Sequence, residues 1–337
     1  METTIFSRLI RNGITVMALA ASVTPFASCD KLYEDLQECE RGARIRFVYD
    51  YNMEFANAFP SQVDCLTVLF YDEEGRYITT RTNMTSDLQD ENWRMVVDLE
   101  PGTYNIIAYG GMECEDASFS FTSSPSLIPM YDIEVELNPS CLVPPMHDLH
   151  DLFYGKAEIN IEQEDITYRD LTVYMMKDTN NLRILLQNVD GMPIDEADFE
   201  FKVTDDNTLM AWNNAVIPTQ TVDYLPWAHG NAAVGERPED SGEVSVAYAE
   251  FSFPRLVTSN SPRLVITRKK DGRKVIDIPL LNYLVLLKSE KYSNMDSQEF
   301  LDRESRWKML FFLQGGIWLD TVIEINDWVV RLNSVEV

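Results

Sequence analysis

From residue 43 onward, short apolar runs alternate with polar turns, and the runs have strand rather than helix character. Residues 43–51 (ARIRFVYDY), 62–71, 76–82, 93–99, 103–109, 118–122 and 131–137 are rich in β-branched and aromatic side chains, which suit a pleated surface. Asp72-Glu73-Glu74-Gly75, Pro101-Gly102 and Gly110-Gly111 separate them and supply the backbone freedom that turns need. Short strands at this spacing predict a β-sandwich, because each sheet must bury one face against another. A second strand-rich region begins at Gly155, after a stretch at 140–154 whose Pro-Pro pair and lack of period read as a linker. Its expected strands are 156–161, 170–176, 198–204, 243–252, 263–268, 274–278, 307–313, 316–325 and 328–332. Asp271-Gly272 suits a tight hairpin turn and Gly315-Gly316 marks another. Residues 279–288 (PLLNYLVLLK) fit a short helix or a strand equally. The Asn- and Pro-rich stretch 207–240 is expected to be a surface loop. The pattern therefore predicts an all-β chain of two tandem sandwich domains, 39–147 and 148–337.

The first forty residues read differently. Arg8 and Arg11 precede an apolar run at 14–21 (ITVMALAA), far short of the roughly 20 residues that span a bilayer, so 1–28 is expected to be a cleaved export signal. Thr24-Pro25-Phe26-Ala27-Ser28-Cys29 resembles a bacterial lipobox, in which the thiol of the first mature residue is alkylated by lipid. Residues 29–38 would then form a lipidated tether, with Cys29 at its head. An ordinary cleaved signal, with Cys29 left as a disulfide thiol, is the alternative. The small pair before Cys29 and the acidic run after it favour the tether. A lipobox cysteine carries more than one acyl chain, which is what stable anchoring requires.

Charge narrows the partners. With 28 Lys plus Arg against 55 Asp plus Glu, the formal net charge is −27, and nucleic acid and anionic headgroups are repelled by such a surface. Only three His are present, which leaves little material for imidazole chemistry. No nucleophile elbow, phosphate loop, dinucleotide fingerprint or zinc-protease motif occurs, so neither an enzyme nor a bound cofactor is expected. Cys39, Cys65, Cys114 and Cys141 remain beyond Cys29. An exported chain permits disulfides, and four cysteines allow three full pairings. The placement of Cys65 in one predicted strand and Cys114 just after another favours that pair, with free buried thiols as the alternative. His147-Asp148-Leu149-His150-Asp151 has the residue types of a metal site, but no further ligand can be nominated from sequence, so a solvated linker is expected and no metal is assigned. Asp205-Asp206-Asn207 lacks the glycine and distal Glu of a calcium loop and reads as a turn. Tyr224, Trp227 and His229 in the long loop are a possible ligand-contact set, since exposed aromatics stack on sugar rings.

Several blocks carry a family resemblance. Phe47-Val48-Tyr49-Asp50-Tyr51-Asn52-Met53 with Ala58-Phe59, Val68-Leu69-Phe70-Tyr71-Asp72-Glu73-Glu74-Gly75, Leu99-Glu100-Pro101-Gly102-Thr103-Tyr104 with Ala108-Tyr109-Gly110-Gly111, Leu149-His150-Asp151-Leu152-Phe153-Tyr154-Gly155, Leu301-Asp302-Arg303-Glu304 and Asp327-Trp328-Val329-Val330-Arg331 resemble the FimB-type fimbrial anchor subunits. The resemblance implies an outer-membrane lipoprotein with two transthyretin-like, Greek-key β-sandwich domains, serving as the minor subunit that anchors a type V fimbria and limits its length. Its implied partners are other fimbrial subunits, docked by strand exchange, and outer-membrane lipid through Cys29. An anchor held through Cys29 cannot lose its N-terminal strand, so no maturation cut is expected at Arg41, Arg44 or Arg46. A surface glycan-binding lipoprotein, or a fimbrial tip adhesin, is the alternative reading.

Overall fold

A computed structural model describes residues 41–236, 243–286, 288, 292–325 and 328–333. The predicted leader, Cys29, its tether and Cys39 lie outside the described residues.

The first strands are β1 (Gly42–Val48), β2 (Leu66–Asp72), β3 (Tyr77–Asn83), β4 (Met95–Asp98), β5 (Gly102–Gly110), β6 (Phe119–Phe121), β7 (Glu134–Leu137), β8 (Phe153–Ile161) and β9 (Tyr168–Lys177), with a short helix α1 (Phe59–Gln62) before β2. Seven of them form one sheet of order β3-β2-β5-β8-β9-β1-β4. β8 and β9 share only the register pairs from Phe153↔Lys177 to Gly155↔Met175, and the two halves of the sheet close over a common core. Ala43, Ile45, Phe47, Met95, Val97 and Val173 come from one half and Leu66, Val68, Phe70, Ile106, Ala108 and Ile159 from the other. The alternation of ARIRFV in β1 sets this directly: every second side chain points inward, and Arg44 and Arg46 point out. β1 is an internal strand, antiparallel to β4 and parallel to β9.

No alternation is visible in β2, where LTVLFY is buried throughout. Its second face is covered as well, as near-continuous apolar strands require. Leu69 and Tyr71, with Ile107 and Tyr109 of β5, meet Phe119, Val135 and Leu137 of β6 and β7 in a second, larger core.

The remaining strands are β10 (Thr179–Asn188), β11 (Phe199–Asp205), β12 (Leu209–Ala211), β13 (Val216–Ile217), β14 (Val222–Tyr224), β15 (Ala228–Glu236), β16 (Glu243–Pro254), β17 (Arg263–Arg268), β18 (Arg273–Pro279), β19 (Arg306–Gln314), β20 (Ile317–Ile325) and β21 (Trp328–Asn333). Among the described residues they add a six-stranded sheet, β15-β16-β10-β19-β20-β21, and a four-stranded one, β14-β11-β17-β18, while β12 and β13 join β7 and β6 in a second four-stranded sheet, β13-β12-β7-β6. Leu182, Ile184, Phe251, Met309 and Phe311 of the first share the larger core with Phe201, Val203, Leu264, Ile266 and Ile276 of the second. Helix α2 (Leu280–Val285) and helix α3 (Ser297–Arg303) add Leu280, Leu284, Phe300 and Leu301 to that core. Asp296 caps α3, its carboxylate accepting from the Gln298 and Glu299 amides. Gly315 and Gly316 both take positive φ, 57° and 75°, which is the backbone the β19–β20 turn demands.

The structure departs from four expectations. The boundary at 147/148 does not divide the sheets: β8 pairs with β5, β9 with β1, and β7 with β12. The stretch read as a linker is packed down, with Cys141, Leu149 and Leu152 buried, and the chain leaves the first sheet only between Lys177 and Thr179. The stretch 207–240 is not simply a surface loop: it supplies β12 to β15, whose short runs between Asn, Asp and Pro residues show no period to read. β10 is missing from the expected strands: it opens on Thr179-Asn180-Asn181, residue types with little strand preference, yet Leu182, Ile184 and Leu186 alternate into the core.

Candidate functional surfaces

Sheet edges are the first feature of functional weight, because an outer strand leaves one row of N–H and C=O groups unpaired within the sheet. The seven-stranded sheet ends at β3 and β4, and the six-stranded sheet at β15 and β21. β4 is four residues long. β3 runs for seven, YITTRTN, half-buried or exposed along its length, with Ile78 44% exposed and no acidic residue or proline. β21 is paired with β20 from Ile325↔Trp328 to Asp320↔Asn333, so the described part of the C-terminal run is an outer strand of its own sheet. Residues 334–337 lie outside the described residues.

The second feature is a buried polar junction where β9 passes into β10. Lys177, Asp178, Thr179 and Asn180 are all buried. Asp151 receives Lys177 Nζ at 2.6 Å and the Thr179 hydroxyl at 2.7 Å. Asp178 accepts from Asn214 Nδ2 at 2.9 Å, lies 3.9 Å from Arg255, and keeps one carboxylate oxygen without a partner. Burial pushes it up to about 7, against the pull of Arg255 and Asn214. Glu304, accepting from the Ser305 and Arg306 amides, is likewise pushed up to about 7 by burial. Burial draws Arg255 down, but Asp302 and Asp178 more than offset it. Arg303 lies 4.0 Å from the Tyr51 ring and 4.7 Å from the Phe55 ring. The blocks around Tyr51, Asp151 and Asp302 thus converge on one place, where charge and hydrogen bonds hold the β9–β10 passage to α3. Sequence spacing shows none of this, since the partners lie as far apart in the chain as Tyr51 and Arg303.

The cysteines and His150 meet at one end of the central sheet. The structure joins Cys65 to Cys114 in a disulfide with Cα atoms 6.0 Å apart, within the span a bridge needs. His150 Nε2 lies 3.1 Å from Asp64 Oδ1 and 3.5 Å from Cys114 Sγ. Partners for His150 that the sequence does not reveal are therefore supplied from strand ends far away in the chain. Next to them Gly111, at φ +83°, leaves no room for a Cβ, which would collide with the Asp151 carbonyl oxygen. Cys141 is a free, buried thiol, 3.8 Å from His147 Nε2.

The proposed ligand-contact set does not form one surface. Tyr224 is buried on β14, donating its hydroxyl to Asn207 Oδ1 at 2.7 Å and packing on Phe253, so it cannot touch a ligand. His229 pairs with Glu196 at 3.0 Å. Trp227 alone faces a groove of about 540 Å³, which Asn181, Arg183, Glu250 and Lys308 also line on the six-stranded sheet. Its indole N–H is buried without a partner, as is Asn181 Oδ1. Asn260 Nδ2 bonds both Asp205 and Asp206, consistent with a turn held by side chains.

Stacked sheets with open edges and a braced junction define a β-sandwich fold. The chain belongs to the family of fimbrillin-A associated anchor proteins Mfa1 and Mfa2, whose model matches residues 36–334. That membership associates it with fimbriae and the cell surface, in a family of structural anchors. No curated protein matches it. A candidate adhesin from Bacteroides thetaiotaomicron is 48% identical, with a TM-score of 0.83 over 89% of this chain and 100% of that one. A second protein of that organism, described as a candidate polysaccharide-binding protein, is 28% identical with a TM-score of 0.73, covering 88% of this chain and 99% of its own. The fimbrial anchor protein Mfa2 from Porphyromonas gingivalis shares the fold at 16% identity, with a TM-score of 0.64 over 87% and 99% of the two chains. Among the described residues no helix is long and apolar enough to cross a membrane.

Proposed function

We propose that this chain is a non-enzymatic fimbrial anchor, tethered to the outer membrane by lipid on Cys29 and docked to a neighbouring fimbrial subunit through an open sheet edge, with a role in limiting fimbrial length. The family match over residues 36–334 carries the reading. Physical chemistry supports the tether: with a net charge of −27 the chain has no electrostatic hold on anionic lipid, so attachment falls to acyl chains. Residues 30–41 reach at most about 40 Å when extended, which keeps the folded body close to the membrane surface. For docking, β3 is the edge best fitted to accept a strand, since its backbone groups face no further strand of its own sheet and its alternate side chains are accessible. In cells carrying Cys29→Ala, the protein and its fimbriae should appear in the medium; retention of both in the membrane fraction contradicts the tether.

A second reading, glycan contact, is favoured by one observation: the unpartnered Trp227 indole in the groove of the six-stranded sheet. The polysaccharide-binding description of the 28% identical relative points the same way. Glycan-array binding that is lost in Trp227→Ala would support it, and an array without signal would remove it.

A further inference from the structure

Asp64 and Cys65 lead into β2, Cys114 follows β5, and His150 leads into β8. These three strands run side by side with Leu66, Gly110 and Phe153 in register, so the four residues are gathered at one end of the sheet. One ligand atom from each lies within 4.8 Å of the others. Three of the separations can be compared with a metal centre: His150 Nε2 to Asp64 Oδ1 is 3.1 Å, His150 Nε2 to Cys114 Sγ is 3.5 Å, and Cys114 Sγ to Asp64 Oδ1 is 3.8 Å. A tetrahedron built on zinc's bond lengths to nitrogen, oxygen and thiolate sulfur has edges of about 3.3–3.8 Å. The His150, Cys114 and Asp64 atoms therefore already span one face of such a tetrahedron. Only the Cys65 sulfur, bonded to Cys114, has to move.

The surroundings fit a metal as well. The His150 amide donates to Ser118 Oγ at 2.8 Å, and the Cys65 carbonyl accepts from the Gly111 amide at 3.1 Å, so the backbone on both sides is held. Asp64 is 65% exposed and His150 20%, which leaves an entry path for an ion from solvent.

We propose that this cluster has two alternative states: the Cys65–Cys114 disulfide when oxidised, and a Cys65–Cys114–His150–Asp64 zinc centre when reduced. The change balances with a thiol or dithiol reductant. Two electrons from it cleave the S–S bond, its own sulfurs are oxidised to a disulfide, and two protein thiols form. Zn²⁺ then displaces one proton from each thiol and binds two thiolates, the neutral His150 Nε2 and the Asp64 carboxylate. Either state fastens the ends of β2, β5 and β8, one covalently and one by coordination.

The test uses the mature folded chain, reduced with a phosphine, freed of reductant without air, and titrated with Co²⁺ and then Zn²⁺. One Co²⁺ per chain should bind, with thiolate-to-cobalt charge-transfer and tetrahedral ligand-field bands, and Zn²⁺ should displace it. The oxidised chain should show neither band. His150→Ala should weaken binding at least tenfold, and Cys65→Ser with Cys114→Ser, which keeps Cys141 and His147, should abolish it. Zinc should also raise the melting temperature of the reduced wild type and leave that of the double variant unchanged. Cobalt bands that are indifferent to His150→Ala would come from thiols in an unfolded chain and overturn the proposal. Equal metal content in the reduced wild type and the double variant also overturns it.

Discussion

Arg255 meets Asp302 through two hydrogen bonds, Nε to Oδ1 and Nη2 to Oδ2, each 2.8 Å long. The same guanidinium donates through Nη1 to the Asn214 carbonyl at 2.6 Å and faces Asp178. A planar fork suits this arrangement, which an ammonium does not reproduce. Removing it leaves two buried carboxylates without their counter-charge. Arg255→Ala should therefore destabilise the fold by about 3–5 kcal/mol, and Arg255→Lys should recover only part of the loss. Urea unfolding of the three proteins checks this, and an Arg255→Ala midpoint equal to wild type contradicts it.

The junction also sets a pH dependence. Asp178 and Glu304 sit at about 7 in the folded chain and in the ordinary carboxylate range, near pH 4, when unfolded. Between those limits the folded state binds more protons, so the stability these groups contribute is full below about pH 4 and is lost as pH rises to about 7. Asp178→Asn should flatten that slope, and relative to wild type it should be more stable at pH 8 than at pH 5. Denaturation at the two pH values measures the difference, and parallel pH profiles would refute the assignment.

β1 is held between β4 and β9. Ala43, Ile45 and Phe47 are buried, neighbours pair on both sides, and Arg44 forms a two-point contact with Asp170 at 2.6 and 2.8 Å, its register partner on β9. Arginine-specific proteolysis of the folded protein should leave the bonds after Arg41, Arg44 and Arg46 intact. A stable product beginning at Ile45 or Phe47 would show that the strand is released.

Docking at β3 predicts a separation of binding from stability. Ile78→Lys with Thr82→Lys adds charge at two exposed positions of an outer strand, a device that blocks edge pairing. Binding to the neighbouring subunit should fall at least tenfold while the melting temperature stays unchanged. Unaltered binding would move the docking site to another edge.

What was legible in the sequence depended on whether one face of an element meets water. β1 alternates Arg with apolar residues, so its inward face could be read from residues 43–48 alone. β2 has both faces covered, and its continuous LTVLFY run shows a strand without showing what covers it. The hairpins at Asp271-Gly272 and Gly315-Gly316 were visible because their turns need particular backbone angles. The β7–β12 pairing was not, because such short strands are defined by a distant partner rather than by their own residues. The same holds for the functional features. Cys65, Cys114 and His150 each stand out by type, but only antiparallel pairing brings them together with Asp64. Tyr224 looked like a loop aromatic because nothing local shows that Phe253 lies against it.

The most direct measurement is the mass of the mature N-terminal peptide from the membrane-bound protein. The mature chain should begin at Cys29 with diacylglycerol on its sulfur and a further acyl chain on its amine. An unmodified N-terminus at any residue would contradict a lipid-held anchor.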